Sequence, residues 1–119
     1  MTVIVAVPDS AEGTHAFTAA ITEARQLATE LVVVNLGLTT LELPEHDGAV
    51  PVTVVDRHGR GDRDPVDAVL DEIDHRNAIR LVIGVKRRSA VGKALLGSIS
   101  QRLLLNAPVP VLAIKPPED

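Results

Sequence analysis

The chain has 119 residues and a mass of 12.6 kDa, the size of one domain with one sizeable core, so a two-domain reading is excluded at the outset. Apolar residues make up 45% and charged residues 24%, the balance of a globular chain and not of a disordered one. With no cysteine, disulfides, thiol catalysis and thiolate metal sites are excluded; with Phe17 as the single aromatic residue, so are the ring-stacking platforms of single-stranded nucleic-acid binders. The net charge of −4 hides an asymmetry: residues 75–117 carry eight of the 12 Lys/Arg and no acid. A basic segment on an acidic protein points to a local anion site and not to a nucleic-acid surface. No run reaches the length of a membrane span, and Met1 to Val5 lacks the basic region of a signal peptide, so a cytoplasmic location without membrane contact is expected.

Thr2 to Pro8 is a continuous run of β-branched and small apolar residues, the pattern of a central strand buried on both faces. Asp9 and Glu12 stand at the spacing of a helix cap, and Phe17, Ala20, Ile21, Ala24, Leu27, Ala28 and Leu31 recur at helical intervals, predicting a helix of about twenty residues. Leu31 to Leu38 reads as a second buried strand, closing a right-handed β-α-β unit. Thr39 to Val50, with Pro44 and Gly48, is barely long enough for a crossover before the strand-like run Pro51 to Asp56, so the helix there is expected to be short or missing. Residues 57–64 are a polar loop, and the Arg-Gly-Asp at 60–62 is read as loop composition and not as an adhesion signal. Asp64-Pro65 starts a helix with Val66, Val69, Leu70 and Ile73 on its apolar stripe, ending near Asn77. Arg80 to Val85 is a fourth strand, Ser98 and Gln101 have the spacing of a capping box over a helix halted by Pro108, and Val109 to Lys115 is a fifth strand marked as an edge by Pro110. Strand and helix alternate throughout, which predicts an α/β fold with an open, mostly parallel five-stranded sheet, order 3-2-1-4-5, and helices on both faces.

Ligands of such sheets bind beyond the carboxyl ends of the strands, where the strand order reverses. The loop from Gly84 to Ser98 follows a strand, holds glycines at 84, 92 and 97 and cations at 86, 87, 88 and 93, and runs into a helix start. Glycines let a backbone approach, helix-start amides carry partial positive charge, and cations neutralise phosphate, so each ingredient favours an anion. A Walker A loop is excluded by Arg87 and Ala94 at the positions that need Gly and Ser/Thr, and the dinucleotide fingerprint by Pro8-Asp9-Ser10 after the first strand. The four histidines have no metal-ligand spacing, and Ser10 and Ser98 read as caps and not as nucleophiles, so neither a metal nor a catalytic residue is assigned.

The pattern Gly-x2-Gly-x9-Gly-Ser after the fourth strand is that of the nucleotide-binding universal stress proteins. Gly84, Gly97 and Ser98 occupy its first, third and fourth positions, and residues 98–112 resemble the closing helix and last strand of that family. The resemblance covers almost the whole chain. It implies an adenine-nucleotide alpha-hydrolase-like fold, cytoplasmic homodimers, ATP or AMP binding in some members, and at most slow hydrolysis. Carried over residue by residue, it implies phosphates on the amides of Gly97, Ser98, Ile99 and Ser100 with help from Arg87 and Lys93, and a base between the first two strand ends near Ala6 and Leu36, with Ile83 and Gly84 completing the crevice. It also implies a dimer through Val109 to Lys115. This chain departs from the pattern in three places: Arg87 replaces the second glycine, where its side chain either crowds or contacts phosphate; Pro8 replaces the acid at the end of the first strand; and the second helix is shortened. Two functions from different classes follow: an adenine-nucleotide-binding stress protein, and a dimeric interaction module of the same fold that binds no nucleotide.

Overall fold

The computed structural model describes residues 1–46, 48–57, 64–86 and 96–116. Five strands, β1 (Thr2–Val7), β2 (Glu30–Asn35), β3 (Val52–Asp56), β4 (Arg80–Gly84) and β5 (Val111–Ile114), form one parallel sheet in the order β3-β2-β1-β4-β5. Among the described residues three helices cover it: α1 (Ala11–Leu27), α2 (Pro65–His75) and α3 (Ser98–Asn106). The expected strand order and the alternation of elements are both observed.

The side-chain period of two divides β1 between two cores. Val3, Val5 and Val7 pack with Leu31, Val33 and Val82 under the Ala16, Phe17, Ala20, Ile21 and Ala24 face of α1. Ile4 and Ala6 point the other way and pack with Val32, Val34, Leu81 and Ile83 under Val66, Val69 and Ile73 of α2 and Leu103 of α3. Helices therefore lie on both faces. No helix lies between β2 and β3 among the described residues; instead the chain crosses the α1 face as an irregular strap, with Leu41, Leu43 and Val50 packed on that core and the His46 ring edge-on to Phe17 at 5.7 Å. Val54 of the edge strand β3 is left 43% exposed.

Several boundaries differ from the sequence reading. Helix α1 does not run on toward Leu31: Ala28 takes the left-handed conformation (φ 54°), the Thr29 amide closes on the Ala24 carbonyl, and Leu31 pairs with Val3 in the sheet. Its cap is Ser10, not Asp9. The Ser10 amide donates to the Pro8 carbonyl, a turn that carries Asp9 outside the helix, and the Ser10 hydroxyl donates to the Glu12 carboxylate at 2.9 Å and accepts from no helix amide. The capping box at Ser98 is not made either: the cap is Gly97, whose carbonyl accepts from the Gln101 amide, and Ser98 already lies inside the helix. Strand β5 begins at Val111, since Pro110 has no amide to give; its carbonyl still accepts from Leu81 at 3.0 Å. Strands β1, β2 and β4 each stop short of the expected end, at Val7, Asn35 and Gly84.

The Asp64-Pro65 start of α2 is as expected. The Asp64 carboxylate accepts from the amides of Val66 (2.8 Å) and Asp67 (3.4 Å), and its other oxygen pairs with Arg102 of α3 at 3.3 Å. The Val66 amide above all, then the Asp67 amide and the Arg102 guanidinium, hold this carboxyl below its ordinary value against an opposing desolvation cost. A depressed folded pKa contributes stability above the unfolded value, about 4, that is lost as pH falls through the folded value. Asp64→Asn, which keeps a capping oxygen but no charge, is expected to flatten the acid limb of stability below about pH 4, read by thermal melts from pH 7 to pH 2.

Candidate functional site

The strand order reverses between β1 and β4, since β2 continues on one side of that pair and β5 on the other. At the carboxyl edge there, the end of β4 meets the start of α3. Ala6, Leu36 and Ile83 are buried in one cluster on the α2 and α3 face, and Ile99 and Leu96 pack against it. The structure thus brings together Ala6, Leu36, Ile83 and Ile99, four residues expected at the site, as an aliphatic floor.

Above that floor stands the N-terminus of α3. Gly97 has an extended, negative-φ backbone and, as a glycine, gives the helix no side-chain cap of its own, so this end presents amides with the partial positive charge of a helix start. The hydroxyl of Ser100 reaches the Gly84 carbonyl at 3.4 Å, tying the first turn of α3 to the end of β4. Lys86 lies alongside: a Cβ built on Gly97 would stand 3.0 Å from its Cε. Lys86 is thus a cation at the helix start that the expected site did not include, although it belongs to the same basic loop. Arg87 and Lys93, expected on the phosphates, fall outside the described residues.

Gly84 has a packing role independent of any ligand. A Cβ there would sit 2.5 Å from the Glu12 carbonyl oxygen, so the first turn of α1 rests directly on the end of β4. At the end of β2 the polar groups are already engaged. The Leu36 amide donates to the Val7 carbonyl at 3.0 Å, and the Leu36 carbonyl accepts from Arg57 Nε at 2.6 Å. Asn35, 1% exposed, donates through Nδ2 to Asp56 Oδ1 and to the Thr39 carbonyl, both at 2.8 Å, and accepts from the Gly37 amide at 2.9 Å. Asp9 lies against this strand end, with its Cβ 3.2 Å from where a Cβ on Gly37 would be. Arg57 carried no signal in the sequence, because its reach to Leu36 depends on β3 lying beside β2.

An open depression of about 320 Å³ lies at the same edge but on the α1 face, between Asp9, Ser10, Gly13, Thr14 and Phe17 on one side and Leu41 to Pro44 of the strap on the other. None of the residues expected on base or phosphate lines it. No group of three or more metal-ligating side chains and no helix long and apolar enough to cross a membrane occur among the described residues.

These features define an open parallel α/β protein in which the start of α3 is tied to the end of β4 at the switch point. The sequence profile of the universal stress protein family matches residues 39–115, and the chain belongs to that family. A universal stress protein of Mycolicibacterium smegmatis is 53% identical over 53 residues, a match that spans 44% of this chain and 41% of that relative. A solved universal stress protein from Archaeoglobus fulgidus superposes with a TM-score of 0.74 at 26% identity over 97% of this chain and 98% of its own. The fold is shared at lower identity with an Archaeoglobus fulgidus universal stress protein in complex with dAMP (TM-score 0.71, 23% identical, 97% and 98% covered) and with a universal stress protein in complex with cAMP (TM-score 0.65, 19% identical, 97% and 96% covered).

Proposed function

We propose that this universal stress protein binds an adenine nucleotide, ATP or a close relative, as a cytoplasmic homodimer, with residues 1–119 acting as one domain. The observation that carries the reading is the start of α3 at Gly97, a cap residue without a side chain, with Lys86 beside it and Ile99 of its first turn packed on the cluster that holds Ala6, Leu36 and Ile83. Phosphates on the amides of Gly97 to Ser100, with Arg87 and Lys93, would take the place of a side-chain cap; several charge-assisted hydrogen bonds at about 1.5–3 kcal/mol each are enough to hold a phosphate chain. Solved structures of the same fold with dAMP and with cAMP support an adenine nucleotide as the ligand. The dimer reading rests on β5, an edge strand with one neighbour in the sheet.

The second reading, an interaction module that binds no nucleotide, is favoured by two observations: Gly84 is accounted for by its contact with α1, and the Leu36 carbonyl is already occupied by Arg57. Native mass spectrometry of the purified protein separates the two. The expected species is a pair of chains carrying adenine nucleotide, with Gly97→Val lowering ATP affinity at least tenfold by calorimetry. Arg87→Gly then assigns that side chain: tighter binding means that Arg87 crowds the phosphates, whereas a loss of about 1.5–3 kcal/mol means that it contacts them. A nucleotide-free protein that gives no heat with ATP, as parent or as Arg87→Gly, leaves the interaction module.

A further inference from the structure

Strand β3 is the edge of the sheet opposite β5 and has one neighbour, β2. Its register sets Leu31 against Val52, Val33 against Val54 and Asn35 against Asp56, and the Leu31 amide donates to the Pro51 carbonyl. In a parallel ladder this pattern commits the backbone groups of Thr53 and Val55 to β2 and turns those of Val52, Val54 and Asp56 outward. Among the described residues nothing bonds to the outward amides and carbonyls of Val52 and Val54. An edge that stays single is ordinarily guarded by lysine, proline, a bulge or a covering segment. Here the strand reads Val52, Thr53, Val54, Val55, Asp56, with Thr53 and Val54 exposed and its one charge at the end. That carboxylate already accepts from Asn35 Nδ2 at 2.8 Å.

The outward residues are spaced symmetrically about Val54, and that symmetry selects the partner. Turned end for end, a second β3 sets Val54 against Val54 and Val52 against Asp56, and each such pair exchanges two backbone hydrogen bonds. No carboxylate faces a carboxylate. Val54, 43% exposed, lies on the α1 face with Val52 and meets its own copy there, while Thr53 meets Val55 on the other face. We infer that β3 is a self-pairing edge: two chains join antiparallel through residues 52–56, about a two-fold axis at Val54, into one continuous sheet. The contact lies at the opposite edge from β5, so it is separate from the β5 dimer and needs no nucleotide.

The chain has no cysteine, so a single introduced thiol reports the register. Opposed Cα atoms of a hydrogen-bonded antiparallel pair stand about 5.5 Å apart, inside the span of about 4.4–6.8 Å that a disulfide bridges. The two copies of residue 53 are offset by about 7 Å along the strands, which adds to the spacing between strands and puts them out of reach. In air-oxidised samples of the full chain, Val54→Cys is expected to be captured as a covalent pair roughly tenfold or more faster than Thr53→Cys, its exposed neighbour. Val54→Pro is the second test: it removes an outward amide that β2 does not use, so the monomer keeps its ladder, and circular dichroism checks that it melts as a folded protein. Sedimentation equilibrium over a range of concentrations is expected to give Val54→Pro a smaller average mass than the parent. Equal capture of the two cysteine variants, or equal mass for the parent and folded Val54→Pro, overturns the β3 pair and leaves the β5 dimer and the nucleotide reading as they are. A parent that is a monomer throughout overturns both self-association readings together.

Discussion

Phe17→Ala is expected to cost about 3–5 kcal/mol of folding stability, the range for emptying an aromatic site in a close-packed core. Phe17 is the only Phe, Tyr or Trp in the chain and is 1% exposed. Its neighbours along the buried face of α1 are Ala16, Ala20 and Ala24, whose methyl groups cannot extend into the vacated space, and Val5, Val33 and Val82 belong to a paired sheet that does not shift easily. The strap is the one wall free to move, and His46 rests on the ring itself. Urea unfolding checks the prediction, with Phe17→Leu expected to cost less than about 1.5 kcal/mol. A loss below about 1.5 kcal/mol in Phe17→Ala would mean that residues 41–46 collapse into the hole, and that the α1 face is held less tightly than the burial of Phe17 implies.

The second large effect is at the two glycines where backbone meets backbone. In a helix interior alanine is favoured over glycine by about 1 kcal/mol, so propensity alone would make Gly13→Ala stabilising. A Cβ on Gly13 would lie 2.3 Å from the Pro8 carbonyl oxygen, and one on Gly84 would lie 2.5 Å from that of Glu12. Neither oxygen can rotate away without moving the turn before α1 or the first turn of α1 itself. Overpacking therefore wins, and each alanine variant is expected to lose about 2–3 kcal/mol in denaturant titrations. Gly97→Ala is the control: the three nearest atoms to its added Cβ among the described residues all belong to the flexible end of Lys86, and its backbone is in an ordinary region, so stability should stay within about 0.5 kcal/mol. This separation matters for function. The glycine at the end of β4 is needed for the fold whatever the protein binds, so a binding defect in Gly84→Ala carries no information about phosphate, whereas one in Gly97→Val does.

Much of the architecture was readable because burial leaves a mark on composition. Strands β1, β2 and β4 are covered on both faces, so their sequences are uninterrupted apolar runs, and that alone places them at the middle of a parallel sheet. The short segment after β2, with its proline and glycine, excludes a full crossover helix, and Asp64-Pro65 announces α2 through a cap that is entirely local. The aliphatic residues expected in the crevice do share one cluster. What local pattern could not decide was where one period gives way to another. Leu31 fits the helical spacing of α1 as well as it fits β2, and the break between them falls on Ala28, a left-handed residue without the glycine that usually marks one. Ser98 and Gln101 have the spacing of a capping box, yet the helix start is set by how Gly97 passes Lys86 and how Ser100 reaches β4. The same holds for the glycines and for Arg57. The sequence by itself determined the strands and their order, because hydrophobic period is a property of the chain. Only the tertiary structure decided that Gly84 is pressed against α1 and that Arg57 holds the Leu36 carbonyl, because both are contacts between segments far apart in sequence and fix themselves only when the sheet is assembled.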